Sequence, residues 1–343
     1  MRCSLRLAQL LSVLVATSAI AAPRTDVVLL RDGSRILGQV RSLDRGRLAF
    51  RTNGASTISI EWDRIVQLVS GEQLRLETSS GALYFGTLVE PASPGHLQVR
   101  GASTTTEVPL QDVVRITTMG SPAGDCWSGD ASAGYSLASA HQQSQFALEL
   151  NVQCRTPSLL GKLSAYDITT GTSASPSSQN AAALLEVYHL FPQRWFAGGL
   201  LEFDRNDQLG IQSRFSVGGG GGRFLLQSGS QVLGVAAGIV ESREQDVDSS
   251  SPTTSTEALL QASFDWFRFA SPELDLSATV TVLPSLTETG RWRGRGIVSL
   301  KWEIASDFFL RLQFLGDFDN RPGNGGTTKT DYNISTSLGY SLN

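Results

Sequence analysis

Three arginines stand two residues apart in "RWRGR": Arg291, Arg293 and Arg295. On a strand this spacing puts all three on one face. Further along lie Lys301, Arg311, Asp317 and Asp319. Such a set can line a charged channel, or its members can neutralise one another. Other chemistry is thin. The histidines, His96, His141 and His189, are far apart and form no H-E-x-x-H or Cys/His spacing. No G-x-S-x-G occurs, and the five glycines Gly218–Gly222 are followed by Arg223 and Phe224, which rules out a P-loop. No catalytic residue, metal site or cofactor is expected. "NIS" at Asn333 has the form of a glycosylation acceptor, but it falls inside a strand pattern of bacterial type.

Charged arrays need walls to hold them. In "DYNISTSLGYSL" one face carries Tyr332, Ile334, Leu338 and Tyr340, and the other is small and polar. The same alternation places Trp292, Val298, Leu300 and Trp302 opposite the three arginines and Lys301. Phe308, Leu310, Leu312 and Phe314 stand opposite Arg311 and Asp317. Strands of this length, with aromatics near the ends of the apolar face, suit a bilayer crossed by tilted strands. Counting back from the C-terminus gives twelve strands, near 328–342, 307–319, 290–304, 273–286, 255–269, 230–242, 207–227, 194–204, 180–191, 158–169, 142–154 and 126–139. Short links such as "FPQR" and "QSGSQ" alternate with longer polar ones, "TTGTSASPSSQ", "SREQDVDSSSPTTS" and "NRPGNGGTTK". The expected fold is all-β: a closed antiparallel transmembrane barrel of about twelve strands, preceded by two tandem small Sm-like repeats.

Those repeats occupy 26–119. Gly38 matches Gly86 at an offset of 48, and Leu48 and Asp63 match Leu97 and Asp112 at 49. Both aspartates read as turn residues. Ahead of them, Arg2 and Arg6, a short apolar run and "AIA" at 19–21 form an export signal. The domain plan is therefore a signal over 1–21, a periplasmic repeat domain over 22–119, a linker over 120–125 and an outer-membrane barrel over 126–343. Removing the signal leaves Cys126 and Cys154, expected to pair in an oxidising compartment because one opens the first strand and the other closes the second. The glycine run falls in the longest strand. There it is expected to let the strand bend, with an aromatic from a neighbouring strand covering the gap.

Composition bounds the function classes. The net charge of −4 argues against a nucleic-acid binder. A mean hydropathy near zero excludes a helical membrane bundle but not a barrel. On "LRDGSRILGQV", "ISIEWDRIV", "FSVGGGGGRF" and "STSLGYSLN" the chain resembles the salt-induced outer membrane protein family, whose defining domain has no assigned function. The resemblance implies an outer-membrane barrel and nothing catalytic. A barrel of that kind usually ends on an aromatic, whereas this chain ends Leu342-Asn343.

The expected function is a non-enzymatic barrel, either a narrow pore that favours anions through its arginines or an anchor plugged by salt bridges. A soluble secreted multi-sheet binding protein is the further alternative. The expected partners are outer-membrane lipid, the barrel-insertion machinery and an unidentified periplasmic partner of the repeats.

Overall fold

The computed structural model describes residues 26–52, 56–119, 126–138, 143–156, 158–172, 175–249, 251–268, 272–305, 307–323, 326 and 328–342. The export signal, the joint at 120–125 and His141 lie outside them.

The chain is all-β, in two sheets. Twelve antiparallel strands close into a barrel: β10 (Trp127–Ala138), β11 (Gln143–Arg155), β12 (Leu159–Thr172), β13 (Ser175–Leu190), β14 (Trp195–Asn206), β15 (Ile211–Gln227), β16 (Gln231–Asp246), β17 (Thr253–Arg268), β18 (Leu274–Pro284), β19 (Trp292–Ala305), β20 (Phe308–Asp319) and β21 (Thr330–Leu342). Pairing of β10 with β21, as at Ala131 and Tyr340, removes both sheet edges. Alternation sets the two faces as expected. Trp292, Trp302, Phe308, Leu338 and Tyr340 point outward and are exposed, while Arg293, Arg311, Asp317, Asp319 and Ser337 are buried inside.

All twelve expected strands are present, and the differences lie at the loop ends. "TTGTSASPSSQ" is mostly strand, since β12 and β13 pair out to Thr172 and Ser175. Likewise β16 continues to Asp246 and β17 begins at Thr253. Serine and threonine pair well in strands, and extending a hairpin satisfies backbone groups that a loose loop would leave to water.

The second sheet has nine strands: β1 (Asp26–Leu30), β2 (Arg35–Asp44), β3 (Arg47–Thr52), β4 (Thr57–Glu61), β5 (Ile65–Thr78), β6 (Leu83–Val89), β7 (His96–Arg100), β8 (Thr105–Pro109) and β9 (Val113–Thr118). The succession β2–β3–β4 recurs as β6–β7–β8, but the two expected copies are not separate bodies. Strand β5 ends the first copy and begins the second without a break, pairing with β1 along one stretch and with β6 and β9 along the other. A single apolar core is drawn from both copies, including Phe50, Trp62, Leu68, Leu74, Leu97 and Ile116. With no linker at 65–78, the copies bury more surface by sharing this core than by closing separately.

The pseudo-symmetry is close. A Cβ on Gly38 would meet the Arg51 carbonyl at 2.3 Å, and one on Gly86 would meet that of Arg100 at 2.1 Å. The 3₁₀ turns Trp62–Arg64 and Leu110–Asp112 are equivalent at an offset of 48, and Trp62 Nε1 donates to the Leu110 carbonyl at 2.8 Å. Asp63 is therefore matched by Gln111 rather than by Asp112, because the extra residue within the second copy is absorbed before β8.

The sheet packs against the short-turn rim of the barrel. From the β2–β3 hairpin, Arg45 pairs with Asp275 at 2.7 Å and lies over the Phe267 ring at 4.4 Å, and Arg47 pairs with Glu273. Burial and a hydrogen bond with Glu303 push the Glu273 carboxyl up to about 7, against the pull of Arg47. A carboxyl raised in the folded state contributes stability that is full below its unfolded value and is lost as pH rises through the folded value. Between about pH 4.5 and 7 the protein should lose on the order of 1–2 kcal/mol from this group once solvent screening is allowed for. Heat-unfolding midpoints in detergent should be higher at pH 5 than at pH 8, and Glu273→Gln should flatten that difference. An unchanged difference would assign the pH dependence to other groups.

Candidate functional site in the barrel interior

The register of β19 and β20 sets Arg293 opposite Asp319 and Arg295 opposite Asp317. Only the second pair bonds as registered, with Arg295 Nε at 2.6 Å from Asp317. Asp319 is instead held by Arg291 at 2.8 Å, which also reaches Glu244 and Glu288, each at 3.1 Å. Arg293 turns to Glu257 on β17, its Nε donating at 2.6 Å. Arg295 further pairs with Glu202 and lies 3.7 Å from Asp204, both on β14. Arg214 on β15 joins the group through Glu244, at 2.7 Å, and Asp204, at 3.4 Å.

Arg311 stands apart in a second group nearer the turn rim. It holds Asp130 and, at 2.8 Å, Glu149. Lys301 faces Arg311 in register, donates to Ser341 Oγ at 2.7 Å and rests over the Phe309 ring at 4.3 Å.

The structure thus brings Arg291, Arg293, Arg295, Asp317 and Asp319 together and leaves Arg311 and Lys301 in a separate cluster. Sequence reasoning missed Glu202, Asp204, Arg214, Glu244, Glu257, Asp130 and Glu149. Parity places each on an inward face, but no spacing says which inward residues meet across the lumen.

Some of these contacts cross the barrel. Asn206 on β14 donates to Asp317 on β20 at 3.4 Å and to Asp331 on β21 at 3.0 Å. Asn180 on β13 reaches the same two carboxylates at 3.1 and 3.0 Å. β14 and β20 are six strands apart in a ring of twelve. A circular barrel of that size would measure about 24 Å between opposite backbones. An asparagine and an aspartate joined by one hydrogen bond span only about 10 Å between Cα atoms. The barrel is therefore flattened at this level, to about the distance at which two sheets pack face to face. The inner layer between its walls is a polar network where a sandwich would have an apolar core.

Beside the network runs a cavity of about 140 Å³, lined from Glu186 and Leu200 on the turn side to Asn206, Ile211 and Asp319 on the loop side. A smaller one of about 30 Å³ adjoins it beside Tyr188, Phe196, Gly220 and Gly238. This is where the glycine run sits. Gly220 pairs with Gly198 on one side and Gly238 on the other. The covering aromatic is Phe196, whose ring occupies the place where a Gly222 Cβ would project, at 2.4 Å. It packs on Phe224 at 4.9 Å and edge-on to Tyr188 at 5.2 Å. The register shift between Phe224 and Leu226 is the break in alternation that the sequence shows there.

At the rim, Cys126 and Cys154 form the expected disulfide, with Cα atoms 4.7 Å apart. Of the described histidines, His96 lies on β7 and His189 on β13, where it meets the Phe191 ring edge-on at 4.7 Å. Among the described residues no cluster of histidine, cysteine or carboxylate fits a metal, and no helix is long and apolar enough to cross a membrane.

Residues 128–342 match a family described as protein of unknown function, DUF481. The chain belongs to that family. The match covers the barrel and not the nine-stranded sheet, and its description contains nothing of the salt-induced name that the sequence resemblance suggests. No curated protein matches the chain. Solved structures similar to it include the NanC porin, at 12% identity over 63% of this chain and 99% of that one, with a TM-score of 0.40. The beta domain of the Bordetella autotransporter BrkA is 13% identical over 63% and 98%, with a TM-score of 0.34. A loop L8 deletion mutant of OmpT, an outer membrane protein of Vibrio cholerae, is 8% identical over 80% and 97%, with a TM-score of 0.29. At these scores the likenesses say nothing about what passes through or binds this member of the DUF481 family.

Proposed function

We propose that the chain is a non-enzymatic outer-membrane barrel whose interior is closed by its own ion network, with the nine-stranded sheet on the periplasmic side. The outward belt of Trp195, Trp292, Trp302, Phe308, Leu338 and Tyr340 supports a lipid surface, since so much exposed apolar area on a soluble protein would drive association. A closed barrel leaves no unpaired edge in hydrocarbon, and the export signal supplies the route. The turn rim and both barrel termini would face the periplasm, and the insertion machinery and outer-membrane lipid would be the partners that this placement needs.

One observation carries the closed reading: hydrogen bonds from Asn180 and Asn206 that cross the lumen to Asp317 and Asp331. Each of Arg291, Arg293 and Arg295 is also paired, so the basis for an anion preference is neutralised. Around the crossing, Glu202, Asp204, Glu244, Glu257, Asp317, Asp319 and Asp331 outnumber Arg214, Arg291, Arg293 and Arg295. Any residual passage would favour cations.

Two measurements test this. Unboiled protein should migrate anomalously on an SDS gel until heated; a soluble multi-sheet protein would not. In planar bilayers the protein should show no steady conductance. Steady currents selective for anions would restore the pore reading.

A further inference from the structure

We propose that the nine-stranded sheet is a lid seated on the turn-side mouth of the barrel, and that it must lift before a small molecule can reach the interior chamber.

The sheet touches several of the barrel's short turns, and it does so with two hairpin tips. The β2–β3 tip, Asp44–Arg47, brings Arg45 to Asp275 and Phe267, Arg47 to Glu273, and Gly46 to within 3.9 Å of where a Gly229 Cβ would project. These contacts reach the β15–β16 and β17–β18 turns. The β5–β6 tip sets Gly81 against the β13–β14 turn, where an added Cβ would lie 3.0 Å from the Arg194 side chain and 3.3 Å from the Gln193 backbone. Beside them, Asp44 accepts from Arg115 at 2.6 Å and feels the charge of Arg155 at the end of β11. Burial pushes the Asp44 carboxyl up, but Arg115, Arg155 and Arg45 outweigh it and hold it below its usual value. A barrel residue therefore helps to keep a lid residue ionised.

Backbone conformation marks the same places. Among the described residues four non-glycines have positive φ: Arg45, Gln193, Arg194 and Asp307. Three of them form the contact, and Asp307 lies in the β19–β20 turn on the same rim. Side-chain-bearing residues seldom adopt this conformation, and they hold it where the surrounding structure imposes it. At Arg45 and Gly46 it makes the tight turn that a two-residue hairpin requires, and this turn aims the Arg45 guanidinium at the rim.

The chamber runs alongside the ion network, and its lid-side part is walled by Glu186, Leu200 and Gln261. The strand ends that border it, around Tyr188 and Phe196, flank the Gln193–Arg194 turn that the lid touches. The crossing contacts at Asn180 and Asn206 bridge the walls at its loop-side part, where Asn206 and Asp317 line it. The mouth under the lid is then the shorter way in.

The test uses full-length protein in detergent micelles, so it does not depend on membrane placement. Glu186→Cys, or Gln261→Cys as a second site should the first misfold, puts a thiol in the chamber beside the intact Cys126–Cys154 bond. Its rate of modification by 2-aminoethyl methanethiosulfonate is followed by mass spectrometry. Arg45→Glu with Arg47→Glu should speed modification at least tenfold. Adding Asp275→Arg and Glu273→Arg should bring the rate back, because the pairs re-form with the charges exchanged. A cysteine pair at Arg47 and Glu273, once oxidised, should slow modification below the parent rate. The proposal is overturned if the rate is the same in all these proteins, or if the Arg47–Glu273 cysteine pair fails to cross-link.

Discussion

Gly220→Ala should prevent most of the barrel from closing, whereas Gly221→Ala should leave it folded. The two residues are neighbours in one strand, and alternation sends them to opposite faces. A Cβ on Gly220 points inward, meeting the Ala237 carbonyl oxygen at 2.3 Å and the Gly238 Cα at 2.7 Å. Both are backbone atoms of the paired strand and cannot rotate away. A Cβ on Gly221 points outward, with the Phe196 carbonyl oxygen at 3.2 Å as its nearest neighbour, a contact that a small shift relieves. We expect Gly220→Ala to cost about 3–5 kcal/mol, at the upper end for one substitution, and Gly221→Ala about 1 kcal/mol or less. The folded band on unboiled gels and its heat-conversion midpoint measure both. Equal effects would mean that the run serves flexibility in general rather than a bare inner wall.

Arg293→Met should destabilise the barrel by about 3–5 kcal/mol, because it leaves an unpaired charge in the flattened interior. The charge is that of Glu257, which is fully buried and takes its cation from Arg293. Its remaining partner there is Ser242, whose hydroxyl donates at 3.1 Å. The desolvation of two ions offsets much of their attraction, so the pair itself contributes little net stability. Arg293→Met combined with Glu257→Leu should therefore recover most of the loss. A double-mutant cycle on heat-conversion midpoints should give a coupling of at least about 2 kcal/mol. Simple additivity would show that Glu257 finds another partner or a proton. If the ion network is also what blocks the lumen, the single variant should conduct in bilayers where the parent does not.

The lid contact and the ion network both depend on residues far apart in the chain. Arg45 and Asp275 are separated by 230 positions, and Asn180 and Asp317 by 137. No local pattern encodes such meetings. By itself the sequence determined the all-β class, the twelve strands, which of their side chains face outward and the Cys126–Cys154 pair. Each of these follows from a period of two, a turn between neighbours or the register of a single hairpin, and all three are short-range properties of a strand. The inward position of Arg291, Arg293 and Arg295 was equally legible. What they do there was not, because parity says that a residue points inward without saying what stands opposite. Three outcomes were left to the tertiary structure. The barrel flattened until β14 met β20, the two repeats fused through β5, and the sheet settled on the rim. The cause is the same in each: buried charges and apolar faces take the partner that closure brings near, and closure is a property of the whole ring rather than of any strand in it.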